Sequence, residues 1–252
     1  MTINFRQRLR SGEPLLGTMV TMPTAATAEI LADLGFDWLF LDAEHSSLSY
    51  VAIEGILQAV GDKVACVVRL SSDEEKPIKK VLDLGAAGII APQVNSVEHA
   101  RDVVRFARYA PEGSRGVGLG RAHGYGMRFS EYMKTANDSV AVLVQAEHFQ
   151  AVECIESIVE IEGLDGIMLG PYDLSASMGK MGQVNDPEVT GAIDRIHRAC
   201  QSNGIAIGYF GVDAAAVRPY QQKRYNLILA GVDTLHLGNA ARDLLADLRS
   251  NS

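Results

Sequence analysis

The sequence predicts a closed (β/α)8 barrel, and three observations carry that expectation. Short apolar runs alternate with helix-like segments from one end of the chain to the other. The runs are apolar on both faces, as parallel strands covered by helices are. Eight such units within 252 residues fit the size of one (β/α)8 domain, so residues 1–252 are read as a single domain. An open, doubly wound sheet is the rival. It usually carries a GxGxxG turn after its first strand, and Gly17-Thr18-Met19 does not supply one.

Taken in order, the expected strands are Leu15–Val20, Trp38–Leu41, Val64–Leu70, Gly88–Pro92, Val140–Ala146, Gly166–Leu169, Ile205–Phe210 and Thr234–Leu237. The expected helices are Ala25–Leu34, Tyr50–Val60, Asp73–Leu84, Ser96–Tyr109, Ala151–Ile161, Pro187–Gln201, Ala214–Tyr225 and Ala240–Leu248. Glycines 35, 61, 85, 163 and 204 close several units, where a left-handed C-cap suits them. One region departs from the pattern. Ala110–Asp138, with its Gly-rich RGVGLGRAHGYGMRF, is too long for an ordinary connection and reads as a functional loop.

Composition narrows the class. Hydrophobic residues make up 47% and charged residues 21% of the chain, as in ordinary globular proteins. The formal net charge of −8 speaks against a nucleic-acid partner, which asks for a basic face. The first ten residues, MTINFRQRLR, lack the apolar core of a signal peptide, and no run approaches the ~18 apolar residues of a membrane span. Cys66, Cys154 and Cys200 show no CxxC or zinc-like spacing. The expectation is a cytoplasmic protein with reduced thiols.

Active sites of such barrels lie at the C-terminal ends of the strands. Asp42, Glu44 and His45 follow the second run, Arg69 ends the third, Gln93 follows the fourth, Gln145 and Glu147 end the fifth, and Asp173 follows the sixth. Residues two apart on a strand share a face. Polar groups scattered over more than a hundred residues therefore converge on one rim, whereas chance would spread them over both ends. Each also has a plainer reading. Asp173 could be a turn former or helix cap, Arg69 an ion-pair partner for Glu44 or Asp42, and His45 a loop hydrogen-bonder. Arg115 and Arg121 could be solvated charges or anion contacts, and His123 and His236 receive no role.

The set suits hard-metal enolate chemistry. Glu147 and Asp173, on neighbouring strands, suit Mg²⁺ or Mn²⁺ completed by waters, with Co²⁺ as a third candidate. A 2-oxo acid could chelate that ion, and Arg69 would help stabilise the charge developing on an enolate. A histidine such as His45 could move the proton. Lysine is absent from the predicted strand ends, which disfavours a Schiff-base aldolase.

The chain also resembles the class II, metal-dependent aldolases of the HpcH/HpaI family, which cleave 4-hydroxy-2-oxo acids to pyruvate and an aldehyde. The resemblance runs through LGTMV, FLDAEHSSL, CVVRL, AAGIIAPQVNS, GSRGVG, VLVQAEH and GPYDLSASMG. It implies a (β/α)8 barrel, a divalent metal, and often a homohexamer whose C-terminal helix packs on a neighbouring subunit. It implies Glu147 and Asp173 as metal ligands, and Arg69 as the group on the pyruvate carbonyl oxygen. His45 is implied as the catalytic histidine with Asp42 as its paired carboxylate, Gln145 as close to the oxo acid, and the amides around Gly170 and Tyr172 as the carboxylate site. A bulky tyrosine at position 172 and the GLGRAHGYGMRF insertion depart from the usual pattern and bear on the aldehyde half of the substrate. Alternative chemistries on this scaffold are oxaloacetate decarboxylation and CoA-ester lysis, and a barrel that binds without catalysing is the alternative of another class.

Overall fold

A computed structural model describes residues 4–250. Eight parallel strands close into a barrel in sequence order, with β8 hydrogen-bonded back to β1. They are β1 (Leu15–Val20), β2 (Trp38–Asp42), β3 (Ala65–Arg69), β4 (Gly88–Ala91), β5 (Ala141–Ala146), β6 (Gly166–Leu169), β7 (Ala206–Gly211) and β8 (Leu227–Val232). The expected (β/α)8 architecture is therefore the observed one.

Strand alternation sorts the apolar residues into two cores. Side chains such as Leu15, Met19, Trp38, Phe40, Val67, Leu143, Met168 and Leu229 fill the barrel interior. Their alternates, among them Leu39, Leu41, Val68, Ile89, Val142 and Ile167, face the surrounding helices. Burial on both faces is why these runs read as continuously apolar in sequence.

Helix α1 (Phe5–Arg10), which the sequence pattern did not mark, closes the N-terminal mouth. Phe5 is 1% exposed and lies 6.0 Å, ring to ring, from Trp38. Arg6 donates twice to the buried Asp165 just before β6, at 2.8 and 2.9 Å. Arg108 donates to the same carboxylate at 3.2 Å. Unpaired, these buried charges would be costly; paired, they lock α1 across the barrel floor.

The outer helices are α2 (Ala25–Ala32), α3 (Tyr50–Val60), α4 (Glu75–Asp83), α5 (Val97–Ala107), α6 (Phe129–Ser139), α7 (Phe149–Glu153), α8 (Ile155–Val159), α9 (Pro171–Ser177), α10 (Pro187–Asn203), α11 (Ala214–Gln222) and α12 (Asp233–Ser250). Ala151–Ile161, expected as one helix, is two short ones. The irregular region is partly regular: it holds a 3-10 turn at Arg121–His123 and then α6.

Within that insertion, Arg115, Arg121 and His123 make structural contacts. Arg121 donates to the carbonyls of Leu84 and Leu57, which end α4 and α3. Arg115 pairs with Asp83 at 2.8 Å. His123 is buried and bonds the loop's own backbone: Nδ1 accepts the Gly126 amide at 3.0 Å, and Nε2 donates to the Gly118 carbonyl at 2.7 Å.

The eighth strand requires a correction. Thr234–Leu237, expected as a strand, forms the first turn of α12, and the strand is Leu227–Val232. Asn226 and Lys223–Arg224 before it masked its start, and Gly231, at φ +73°, interrupted its apolar run. Gly231 is required there: a Cβ would lie 2.3 Å from the ring of His236, which contacts the Thr18 hydroxyl of β1 through Nε2 at 2.9 Å.

Candidate active site

The rim at the C-terminal strand ends holds a cavity of about 360 Å³. It is lined by Asp42, His45, Arg69, Gln145, Gly170, Tyr172 and Asp173, and on its far side by Met19, Thr21, Phe210 and Val232. A larger hollow of about 660 Å³ lies at the N-terminal end, between the insertion and α3. It contains none of the strand-end groups, so the chemistry belongs to the smaller cavity.

Strand register assembles the cavity floor. Asp42 ends β2 directly beside Arg69, which ends β3. Arg69 Nε donates to Asp42 Oδ1 at 2.9 Å and Nη2 to Oδ2 at 2.7 Å, a bidentate fork that fixes the guanidinium plane. Nη1 of Arg69 lies 3.2 Å from Glu44. Burial alone would push the Asp42 carboxyl up, but the two Arg69 hydrogen bonds overcome it and hold the carboxyl below its ordinary range. Burial likewise opposes the Arg69 charge, and the facing carboxylates of Asp42, Glu44 and Glu147 outweigh it and raise Arg69. Both groups are therefore ionised.

Asp42 also organises the loop after β2. Its Oδ1 accepts the backbone amides of Glu44 and His45 at 3.1 and 3.2 Å. The implied pairing of Asp42 with the His45 ring is not the one observed. Asp42 is occupied by Arg69 and receives only the His45 amide, and the carboxylate facing His45 Nε2 is that of Glu44, at 3.7 Å. His45 itself stands at the cavity mouth with its side chain largely exposed.

Glu147, one residue past β5, is 3% exposed. One of its oxygens accepts the amide of Gln93 at 2.7 Å, from a residue held at φ +55°. The other accepts from Gln145 Nε2. Gln145, expected beside the substrate, thus aims its amide group at Glu147, and its own Oε1 is buried without a hydrogen-bond partner among the described residues. Burial first, and then the charges of Glu44 and Asp173, push the Glu147 carboxyl up to about 7. Burial also raises Glu44.

Gly170 closes this corner. A Cβ there would stand 2.7 Å from Glu147 Cβ and 2.8 Å from its Oε2, so only glycine leaves the carboxylate accessible. Pro171 then starts α9, which places Asp173 in the first helical turn. Tyr172 is 60% exposed at the mouth.

Among the described residues, no three His, Cys, Asp or Glu side chains cluster tightly enough to hold a metal ion by themselves. A pair of carboxylates from consecutive strands does fit a hard cation whose remaining positions are water or substrate oxygens. The crowding of Glu44, Glu147 and Asp173, and the glycine-shaped space at position 170, favour a cation there.

Sequence reasoning placed Glu44 and Gln93 on the rim but gave Glu44 no role beyond pairing with Arg69 and gave the Gln93 backbone none. It also missed the apolar wall of Met19, Phe210 and Val232, since apolar residues at strand ends carry no signal that separates lining from core.

Residues 17–240 match the family model for HpcH/HpaI aldolase/citrate lyase. The chain belongs to that family. It is 38% identical over 248 residues to a hydroxypyruvate/pyruvate aldolase of Cupriavidus necator, covering 97% of this chain and 92% of that protein. It is 38% identical over 249 residues to a 2-keto-3-deoxy-L-rhamnonate aldolase of Escherichia coli K12, covering 98% and 93%. An HpcH/HpaI aldolase/citrate lyase family protein from Burkholderia cenocepacia J2315 superposes with a TM-score of 0.93 at 36% identity, covering 97% of this chain and 98% of that one. The family resemblance drawn from the motifs is thereby borne out, and the chain is an enzyme of the aldolase type.

Proposed function

We propose that this chain is a divalent-metal-dependent aldolase that cleaves a 4-hydroxy-2-oxo acid to pyruvate, or a related 2-oxo acid, and an aldehyde. The observation that carries this reading is one cavity holding an ionised Arg69, fixed by Asp42, beside the buried carboxyl of Glu147. Glu147 and Asp173 would hold Mg²⁺ or Mn²⁺, which supplies Lewis-acid stabilisation of the oxo acid when bound.

The chain's own residues account for the rest. The amides around Gly170 and Tyr172 receive the carboxylate of the oxo acid. Arg69 faces the C2 oxygen, where negative charge develops as the C3–C4 bond breaks and its electron pair delocalises into the enolate. Gln145 and the Gln93 amide hold Glu147 in place. His45 takes the proton of the 4-hydroxyl, through water, as the aldehyde departs. Its Nε2 lies 3.7 Å from the Glu44 carboxylate, which gives the resulting imidazolium a counter-charge. The enolate is then protonated at C3, the proton returning from the His45 imidazolium through water, which restores the neutral histidine.

The test is pyruvate methyl-proton exchange in D₂O followed by NMR, which needs no knowledge of the aldehyde. Exchange that requires added Mg²⁺ or Mn²⁺ and stops with EDTA is expected. No exchange from folded protein under any divalent ion would overturn the pyruvate assignment.

Titration of Glu147 gives a pH dependence with a definite sign. A metal ligand must be deprotonated, so apparent Mn²⁺ affinity falls by about tenfold per pH unit below about 7 and levels off above it. In metal-free protein the folded carboxyl titrates well above its unfolded value. The stability it contributes is thus complete below the unfolded pKa and is lost as pH rises towards about 7, on the order of 3 kcal/mol. Thermal melts in EDTA between pH 5 and 8 should show Tm falling across that window, with Mn²⁺ reversing the loss. A flat profile in EDTA excludes the assignment.

The reading extends to a homo-oligomer in the cytoplasm, with a hexamer as the expected assembly. Helix α12 leaves the barrel at Asp233, and Leu237, Leu244 and Leu245 along it are exposed, as is Leu16 on the outer face of β1. A second copy of this chain covers these faces. Light scattering should give a mass several times 27.1 kDa; a monomer at micromolar concentration removes the proposal. Among the described residues no helix is long and apolar enough to cross a membrane.

A further inference from the structure

We infer that Asp233 is a positioning residue for the aldehyde half of the substrate, holding the β1–α2 loop at the cavity wall and tying it to the first turn of α12. The inference rests on the site reading above.

Asp233 begins an otherwise exposed helix yet is only 2% exposed itself. Its Oδ2 accepts the backbone amides of Thr21 and Met22, both at 2.9 Å. Its Oδ1 accepts the Thr21 hydroxyl at 2.7 Å and the amide of Thr234 at 2.8 Å. Four donors, and among the described residues no ion-pair partner, satisfy this buried carboxylate. Three of the four donors belong to Thr21 and Met22, so the latch holds the loop.

The loop matters because of where it sits. Thr21 lines the cavity just past the end of β1, across the barrel from the ends of β5 and β6, after which Glu147 and Asp173 follow. The oxo acid occupies the side of Glu147, Asp173, Arg69 and Gly170. What remains of the cavity is bounded by Met19, Thr21, Phe210 and Val232, and this is the space left for the aldehyde. In that wall Thr21 is the polar member, and Asp233 sets both its backbone and its hydroxyl. The helix that leaves the barrel towards a second copy is thus anchored by the same carboxylate that shapes the aldehyde wall.

The experiment compares the parent with Asp233→Asn, which keeps the size but turns one acceptor oxygen into a donor facing N–H groups. Metal-supported pyruvate exchange in D₂O reports the oxo-acid side. Aldol addition of pyruvate to the best-used of glycolaldehyde, glyceraldehyde and propionaldehyde reports the other. The expected result is an exchange rate within about threefold of the parent, with the aldehyde KM raised at least tenfold and the pyruvate KM within about threefold. Thr21→Val, which removes only the hydroxyl, should raise the aldehyde KM in the same direction, and it carries the test if Asp233→Asn does not fold. Unchanged aldehyde KM in the folded variant overturns the inference, as does a parallel loss of exchange and both KM values. A parent that exchanges pyruvate protons but condenses with none of the three aldehydes also overturns it. A parent that shows no exchange fails earlier, at the site reading itself.

Discussion

Glu147→Ala is expected to lower metal-dependent kcat/KM by at least about 10³-fold, some 4 kcal/mol of transition-state stabilisation, and to abolish pyruvate exchange. The carboxylate is buried, so no solvent-exposed neighbour can swing into its place. The two donors that hold it, the Gln93 amide and Gln145, would be left facing a void. Glu147→Gln separates charge from shape: its oxygen still accepts the Gln93 amide, and its NH2 group meets Gln145, whose amide can flip to present the otherwise unpartnered Oε1. It should be as inactive as the alanine variant, and in EDTA at pH 8 it should melt higher than the parent, since burial disfavours the charged carboxylate. Activity and apo stability thus move in opposite directions, a pattern that simple misfolding does not produce. A glutamine variant that retained turnover with Mn²⁺ within tenfold of the parent would remove Glu147 from the metal site.

The barrel was legible in the sequence because its strands are buried on both faces, and seven of the eight expected runs coincide with strands to within two residues at their ends. The eighth failed for a local reason. A strand that ends in a positive-φ glycine and runs directly into a helix has no turn signal between them, and the apolar residues of Thr234–Leu237 belong to a helix that leaves the barrel. Helix α1 escaped notice because its burial comes from Phe5 and Leu9 inserted across the floor, and six residues are too few for a periodic pattern.

The rim was legible in the same way: once eight strands are ordered, polar residues at their C-terminal ends must meet. Arg69, Asp42, Gln145 and Glu147 do meet, and His45 and Asp173 stand on the same cavity. Pairings within the rim were partly legible: Glu44 or Asp42 was expected as an ion-pair partner of Arg69, and Arg69 contacts both, but the partner of His45 was not foreseen. Strand register, invisible in a single sequence, gives Asp42 to Arg69 and leaves Glu44 to face His45. Nor could residue order show that Gln145 turns towards Glu147, since a side chain two positions away on the same face can point into the cavity or along the strand.

Arg69→Ala should lower kcat by 10² or more, since removing one preorganised oxyanion stabiliser costs about 2.7–4 kcal/mol. The pyruvate exchange rate should fall in parallel, because both processes pass through charge on the same oxygen. A second consequence has to be separated from the first. Asp42 is 2% exposed, and without Arg69 its carboxylate is a buried charge that has lost its main partner, a change that destabilises folds by about 3–5 kcal/mol. The Arg69→Ala/Asp42→Asn double variant removes that strain: its Tm should recover towards the parent, while kcat stays as low as in the single variant. Arg69→Lys makes the finer distinction. An ammonium keeps the charge but cannot form the two-pronged contact with Asp42, so it should recover stability more than rate. If kcat of the folded Arg69→Ala protein stayed within about threefold of the parent, Arg69 would be a rim ion pair and nothing more. If the double variant instead regained both Tm and kcat, the loss in the single variant would have been one of folding, and the enolate charge would rest on the remaining groups of the cavity.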